Sequence, residues 1–234
     1  MEELHVRSVT SRSVATILIY GLLAVWLQPS QAASGEWTTG KNYDELSNQI
    51  PKGNGGTVEV IEFFWYACPH CYRLEPEIES WLKAKPNYVA FKRIPITWDP
   101  RYVAHARLYF ALASLNRLDL SPDVFSTIYN DRNFLLGSTD EQTYEKQLKF
   151  VGAHGVQAGD FLRAYHSAPV EANLQQARDL MDKYGIAHVP TFVIAGRYRT
   201  SAQQVGGELN LLPVVDLLVQ RAHSDSLVST GAKR

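Results

Sequence analysis

The sequence has little cysteine and no excess of charge of either sign. Only two cysteines, Cys68 and Cys71, occur in 234 residues, which excludes a framework of several disulfides and a zinc site built from four cysteines. The formal net charge of −1 leaves no basic field, so we expect no nucleic-acid partner. A hydrophobic fraction of 45% in a chain of this length is enough to bury a sizeable core.

The uncharged run near the N-terminus is too short to cross a bilayer. It covers residues 14–27, whereas a membrane-spanning helix needs about 20 apolar residues. Arg7 and Arg12 precede it and small residues follow, so we predict a secretory signal peptide over residues 1–32, cleaved after Ala32. A retained membrane anchor is the alternative. We expect the mature chain in the periplasm of a Gram-negative bacterium, where disulfides persist.

The first half of the mature chain predicts two strands with a helix between them. "TVEVIEFFWY", residues 57–66, is apolar on both faces, which is typical of a central, covered strand. "YVAFKRIPI", residues 88–96, predicts a second core strand. From Pro69 onward the pattern is helical, and the apolar residues with helical spacing are Leu74, Ile78, Trp81 and Leu82.

The second half predicts a block of helices and then a return to strands. Residues 100–184 are helical almost throughout, with starts expected at Ser121-Pro122 and at Ser138, which has capping-box spacing to Glu141. "PTFVIAGRYRT" predicts a hairpin turning at Ala195-Gly196. The predicted segments are 33–98 and 185–223 for the two parts of one α/β unit, 99–184 for an inserted helical domain, and 224–234 for a disordered tail.

The two cysteines lie where the central strand passes into the helix. Cys68 would stand at the helix N-cap, where free N–H groups and the helix dipole favour a thiolate, and His70 could add a positive charge. We expect Cys68 to be exposed, acidic and the sulfur that is attacked, and Cys71, one turn further on, to be more buried and to resolve a mixed disulfide. The alternatives are a structural disulfide, a metal site completed by His70, and two unrelated core cysteines.

The Cys68-Pro69-His70-Cys71 motif resembles the thioredoxin superfamily, and within it the DsbA family of bacterial disulfide oxidases. "EFFWYACPHCY" is similar to the family's active-site strand and helix start, and "HVPTFVI", residues 188–194, to its cis-proline loop. The resemblance covers residues 37–222 and implies a thioredoxin fold with an inserted all-helical domain. It also implies a cis Val189–Pro190 bond, with Val189 and His188 beside the substrate groove.

Two carboxylates and one lysine are candidates for managing protons. Glu62 shares a strand face with buried apolar residues, and Glu75 shares a helix face with both cysteines; the family has acidic residues at both matching positions. We predict that they handle the proton of Cys71 and that Lys92 pairs with one of them. The alternative is that all three are solvated surface residues.

The resemblance also implies an activity and its partners. We expect a thiol:disulfide oxidoreductase that donates its Cys68–Cys71 disulfide to reduced or unfolded exported proteins and is reoxidised by a DsbB-like membrane quinone oxidoreductase. No cofactor beyond that disulfide and no metal are expected, and the chain should be a monomer. The alternatives are a disulfide isomerase or reductase on the same fold, and a peptide-binding holdase whose disulfide is structural.

Overall fold

The computed structural model describes residues 37–46 and 57–231, with side chains described as far as residue 227. The predicted signal peptide and its cleavage site lie outside these residues. The strands form one mixed five-stranded sheet in the order β1-β5-β4-β2-β3. Their bounds are Asp44–Glu45 (β1), Val58–Phe64 (β2), Val89–Pro95 (β3), Thr191–Ile194 (β4) and Tyr198–Ser201 (β5).

Eight helices accompany the sheet in the described part of the chain. Their bounds are Pro69–Ala84 (α1), Pro100–Ser114 (α2), Ser121–Tyr129 (α3), Asp140–Ala153 (α4), Ala158–Tyr165 (α5), Ala168–Tyr184 (α6), Ala202–Val205 (α7) and Leu211–Gly231 (α8). Two 3₁₀ turns, Leu118–Leu120 and Glu208–Asn210, precede α3 and α8. Among these residues, no helix is both long and apolar enough to cross a membrane. The α/β fold with helices inserted between β3 and β4 is therefore confirmed.

β2 is the central strand that its sequence predicts. It runs parallel to β3 and antiparallel to β4, and six of its seven residues are buried because both of its faces are covered. β3 is the second strand that its sequence predicts, and its residues Val89, Ile94 and Pro95 are buried. β3 lies at the edge of the described sheet, and Ala90 and Lys92 in its middle are exposed.

α1 begins at Pro69, directly after the N-cap residue Cys68. Proline suits this first position because its missing N–H has no intrahelical partner there. Ile78 and Trp81 are buried as the helical spacing predicts, but Leu82 is 37% exposed, so its assignment to the buried face is wrong. The remaining buried residues of α1, Cys71, Leu74 and Glu75, place the active-site end of the helix against the core.

The inserted helices pack directly against the cysteine-bearing end of α1. One apolar cluster contains both cysteines together with Phe125 of α3, Leu108 of α2 and Phe161 of α5. Each such side chain contributes about 1.5–3 kcal/mol when it is fully buried. The inserted helices therefore form part of the lining of the cysteine site.

Three local predictions differ from the structure. Ser121 is the first residue of α3 and caps nothing, because its Oγ lies 2.8 Å from the hydroxyl of buried Tyr66. α4 starts one residue later than expected, with Thr139 accepting a hydrogen bond from the Gln142 N–H at 3.2 Å. The predicted disordered tail is wrong as far as Gly231, since α8 extends to that residue, and residues 232–234 lie outside the described part of the chain.

Candidate active site

The two sulfur atoms lie at the first turn of α1. Cys68 has the extended backbone of an N-cap residue, and its Sγ accepts a hydrogen bond from the Cys71 N–H at 3.4 Å. The same Sγ lies 3.5 Å from the carbonyl oxygen of Val189. Cys71 is fully buried, as predicted, but the prediction that Cys68 is exposed is wrong. Cys68 is only 6% exposed, because the Val189 loop and the inserted helices pack around it.

The environment separates the acidities of the two thiols. The pKa of Cys68 is lowered to about 7, although burial opposes the shift. The main cause is the hydrogen bond from the Cys71 side chain. The N–H groups of Cys71 and His70 and the positive charge of His70 also contribute. Burial and the charge of Cys68 hold the pKa of Cys71 well above its ordinary value. Cys68 is therefore the sulfur that carries the negative charge in the dithiol form.

The cis-proline loop lies beside Cys68. The Val189–Pro190 peptide bond is cis, as the resemblance implies. Val189 is half-buried and Pro190 is buried, whereas His188 is exposed and lines a depression of about 250 Å³ with Arg199 and Gln204. The structure thus brings Val189 to Cys68 and turns His188 toward a different depression.

Arg93, which the sequence analysis did not select, joins the two predicted carboxylates. Its Nε donates to Glu62 Oε2 at 2.6 Å, and its Nη1 donates to Glu75 Oε2 at 3.1 Å. The prediction that Lys92 is their partner is wrong, since Lys92 pairs with exposed Glu59 at 2.8 Å. Arg93 lies opposite Glu62 in the β2–β3 register, and neighbouring residues of a strand point to opposite faces. Strand alternation is the signal that could have selected Arg93 in place of Lys92.

Glu62 is a buried carboxylate close to the resolving cysteine. It is fully buried, and burial raises its pKa to about 7 although Arg93 opposes that shift. Its Oε1 has no hydrogen-bond partner among the described residues. The charge of Glu62 also raises the pKa of Cys71, which places the two groups within electrostatic reach of each other. Glu62 can therefore exchange a proton near neutral pH beside Cys71.

His70 lies at the outer edge of the site with two charged neighbours. Its side chain is 52% exposed, and its Nδ1 lies 2.8 Å from Glu208 Oε2 and 2.8 Å from Arg73 Nη2. Arg73 Nε also donates to Glu208 Oε1. No sequence signal pointed to Glu208, which is 138 residues from His70 and reaches it only through the fold.

Tyr129 at the end of α3 is a further residue that the sequence analysis did not select. Its ring stacks on Tyr72 with the centroids 4.4 Å apart and the planes 6° apart. Its hydroxyl is buried and has no hydrogen-bond partner within the described residues. Burial and then the charges of Cys68 and Cys71 raise its pKa, so the hydroxyl keeps its proton beside the sulfurs.

Within the described residues, no group of three or more histidine, cysteine, aspartate or glutamate side chains is placed to hold a metal ion. The arrangement is instead that of a dithiol pair with unequal acidities, a buried proton acceptor and an adjacent cis-proline loop. Such a pair can accept and release two electrons by thiol–disulfide exchange.

Comparisons with known proteins identify the family. A thioredoxin family model matches residues 53–207. The chain is 34% identical to the thiol:disulfide interchange protein DsbA of Burkholderia cepacia, over 90% of this chain and 96% of that one. A crystal structure of Pseudomonas aeruginosa DsbA is similar with a TM-score of 0.73 and 31% identity, covering 81% of this chain and 96% of that one. A DsbA oxidoreductase from Xylella fastidiosa has a TM-score of 0.72 at 25% identity, with coverage of 80% and 98%. The chain therefore belongs to the DsbA family of thiol:disulfide interchange proteins, within the thioredoxin superfamily.

Proposed function

We propose that this protein is a periplasmic thiol:disulfide oxidoreductase that donates its Cys68–Cys71 disulfide to newly exported proteins. The observation that carries the proposal is the stabilised sulfur of Cys68. An N-cap position, hydrogen bonds from the following turn and a neighbouring histidine lower the pKa of its thiol to about 7. A stabilised thiolate makes Cys68 a good leaving group and favours the reduced state, so that the disulfide is readily passed on.

The exchange proceeds through a mixed disulfide. A substrate thiolate attacks Cys68 Sγ, the bond between Cys68 and Cys71 breaks, and Cys71 leaves and takes up a proton. A second substrate thiolate then attacks the substrate sulfur of the mixed disulfide, and Cys68 leaves as a thiolate. The substrate loses two electrons and gains a disulfide, and the protein gains the two electrons as a dithiol. Cys71 can also attack the mixed disulfide and release the substrate unchanged.

Each predicted site residue except Lys92, which pairs with Glu59 instead, has a proposed part in these steps. Cys68 and Cys71 exchange electrons, and Pro69 and His70 shape the first turn of α1. Glu62 and Glu75, held by Arg93, take up and return the proton of Cys71.

The cis-proline loop has a proposed part in holding the substrate. Pro190 has no N–H of its own, which leaves the backbone of Val189 free to pair with an incoming peptide in the manner of an added strand. The Val189 carbonyl lies beside Cys68 Sγ, which supports this role. His188, which lines the neighbouring depression with Arg199 and Gln204, is a proposed part of the substrate-binding surface beside this loop.

We propose the partners and processing on the strength of the family. The reduced protein would be reoxidised by a DsbB-like membrane quinone oxidoreductase, with no cofactor beyond the cysteine pair, and would act as a monomer. Residues 1–32 would be removed as a signal peptide, and the segments 33–98, 99–184 and 185–223 are the proposed parts of the fold.

The test is oxidation of a reduced peptide that contains two cysteines. The Cys68→Ser protein should have no oxidase activity. The Cys71→Ser protein, first prepared as its Cys68–glutathione disulfide, should exchange with a reduced peptide that contains one cysteine, releasing glutathione and leaving a stable disulfide between Cys68 and the peptide. A holdase would keep its protection of unfolded chains in the Cys68→Ser protein and would show no such adduct. Peptide oxidation by Cys68→Ser at the wild-type rate would exclude the proposed function.

A further inference from the structure

A cluster of three charged side chains joins the predicted site residue His70 to two residues that the sequence analysis did not select. It consists of Arg73 on α1 and Glu208 on the turn before α8, with the His70 ring between them. Glu208 is the only member with little exposure, as its side chain is 12% exposed and those of Arg73 and His70 are 52%. The cluster ties the first turns of α1 to a segment 135 residues away in the chain.

The cluster is held together by the carboxylate. Glu208 offers one oxygen to Arg73 and the other to His70, and the hydrogen bond from Arg73 is the main reason that its pKa is lowered to about 2. His70 Nδ1 faces a donor on Arg73 and an acceptor on Glu208 at the same distance of 2.8 Å. One nitrogen can serve only one of them at a time: with a proton it donates to Glu208, and without one it accepts from Arg73.

Arg73 lies at the same end of α1 as the sulfur, because its Nη2 is 2.8 Å from Nδ1 of His70, two residues after the N-cap Cys68. The negative charge of Cys68 contributes to the raised pKa of Arg73, after the larger contribution of Glu208. The same interaction acts in reverse, because a positive Arg73 stabilises the Cys68 thiolate. Glu208 cancels much of that effect by pairing with the guanidinium. The net charge seen by the thiolate therefore depends on a carboxylate that contacts neither sulfur.

We propose that Glu208 is a positioning residue that limits the oxidising strength of the Cys68–Cys71 pair by neutralising Arg73. The inference rests on the proposed function. It adds a residue that adjusts how strongly the Cys68–Cys71 disulfide oxidises a substrate. Without the carboxylate, the uncompensated guanidinium stabilises the thiolate further and the protein becomes a stronger disulfide donor. Without the guanidinium, the carboxylate remains beside the thiolate and the protein becomes a weaker donor.

The experiment is a charge cycle measured by equilibrium with glutathione. In this reaction the protein disulfide and two glutathione molecules give the protein dithiol and one glutathione disulfide. Glu208→Gln should move the equilibrium toward the dithiol by about twofold to fivefold, the range expected for half-exposed charges. Arg73→Gln should move it in the opposite direction. The double variant Arg73→Gln/Glu208→Gln should return close to wild type, because the net charge of the cluster is restored.

The control is Glu77→Gln, at an exposed residue of α1 for which the described residues show no ion pair. It removes one negative charge from the helix that carries Arg73 and should leave the equilibrium unchanged. The shifts should also shrink as salt rises, since the Debye length is about 10 Å at 0.1 M. Unchanged equilibria in both single variants, or shifts of the same sign, would overturn the inference. A wild-type protein that oxidises no peptide would instead overturn the proposed function, while the shifts between variants would still test the cluster.

Discussion

The sulfur of Cys68 is stabilised by donors from a single turn of α1. The Cys71 side chain, the Cys71 N–H and the His70 N–H all lower its pKa, and the first of these has the largest effect. The two cysteines are thus chemically unequal before any substrate arrives. One carries the charge, and the other donates the hydrogen bond that keeps it.

Removing that donor should make Cys68 less acidic. In Cys71→Ala we expect the Cys68 pKa to rise by about one unit, because one hydrogen bond to a charged group is worth about 1.5 kcal/mol. Cys71→Ser, which keeps a donor at the same position, is the matched control and should titrate close to wild type. The measurement is the ultraviolet absorbance of the thiolate as a function of pH. Identical titrations of wild type and Cys71→Ala would contradict this assignment.

Glu62 should control the proton of Cys71. In Glu62→Gln, we expect Cys71 to displace glutathione from a Cys68–glutathione mixed disulfide about tenfold to a hundredfold more slowly, because the acceptor for its proton is gone. The wild-type rate should rise as the pH passes about 7, where Glu62 becomes ionised. Release of glutathione can be followed by rapid mixing.

Glu59→Gln is the matched control for that experiment. Glu59 lies on β2 like Glu62, but its side chain is 42% exposed and pairs with Lys92. This variant loses the same charge from the same strand and should release glutathione at the wild-type rate. Equal slowing in both variants would show that Glu62 has no specific part in proton transfer.

At the scale of elements, α1 carries the cysteines and two charged residues that form ion pairs with other parts of the fold. Its first turn carries the cysteines, its Glu75 meets Arg93 of β3, and its Arg73 meets Glu208 before α8. Strand β3 contributes through alternation, since Arg93 points toward α1 and its neighbour Lys92 pairs with exposed Glu59. Replacing Arg93 should therefore lower the stability of the protein by a different amount from replacing Lys92.

Arg93 and Lys92 form a matched pair for testing this difference. Arg93→Met should destabilise the protein by about 3–5 kcal/mol, because it leaves the buried Glu62 carboxylate without its partner. Lys92→Met breaks an exposed pair and should cost less than about 1 kcal/mol. Urea unfolding of the oxidised protein measures both. Equal losses of stability in the two variants would contradict the inward placement of Arg93.

At the scale of the whole molecule, the site lies where distant parts of the chain meet. The start of α1, the Val189 loop, the end of α3 and the turn before α8 all contribute to it. This assembly raises the free energy of unfolding of the reduced protein, because it stabilises the negative charge on Cys68. The oxidised protein has no thiolate, so its free energy of unfolding is not raised in this way. The redox state should therefore be coupled to the stability of the entire fold.

The coupling has a defined pH window. The Cys68 pKa is lowered to about 7 in the folded dithiol, and an unfolded cysteine has a pKa of about 8.5. A lowered pKa stabilises the folded state fully above the unfolded value, and this stabilisation is lost as the pH falls through about 7. Between pH 6.5 and 8.5, the lowered Cys68 pKa should raise the stability of the reduced protein relative to the oxidised protein by about 1.5 kcal/mol. Urea unfolding of both forms across this range checks the slope, and a falling difference would contradict it.

Local features of the site could be predicted because neighbouring residues determine them. The buried strand β2, the N-cap at Cys68 and the hairpin turn, where Ala195 has φ 53° and Gly196 has φ 62°, all follow from adjacent residues. The cis bond at Pro190 followed from the resemblance, since an isolated X-Pro bond carries no such signal.

Features that depend on pairing between distant segments were missed. β3 has the composition of a core strand, but it lies at the edge of the described sheet, and Ala90 and Lys92 are exposed. The burial of Cys68 depends on helices that follow it by more than 30 residues, and Glu208 reaches His70 only through the fold. The cysteines and the carboxylates Glu62 and Glu75 were thus selected from the sequence, whereas Arg93 and Glu208 were not.

The central claim is that this fold favours the dithiol and so makes the protein a donor of disulfides. The most direct test is the equilibrium of the Cys68–Cys71 pair with graded glutathione buffers, measured on the mature protein. We predict a reduction potential more oxidising than about −180 mV, the value typical of a disulfide isomerase. A potential near about −270 mV, which is typical of thioredoxin, would contradict the account and identify the protein as a reductase on the same fold.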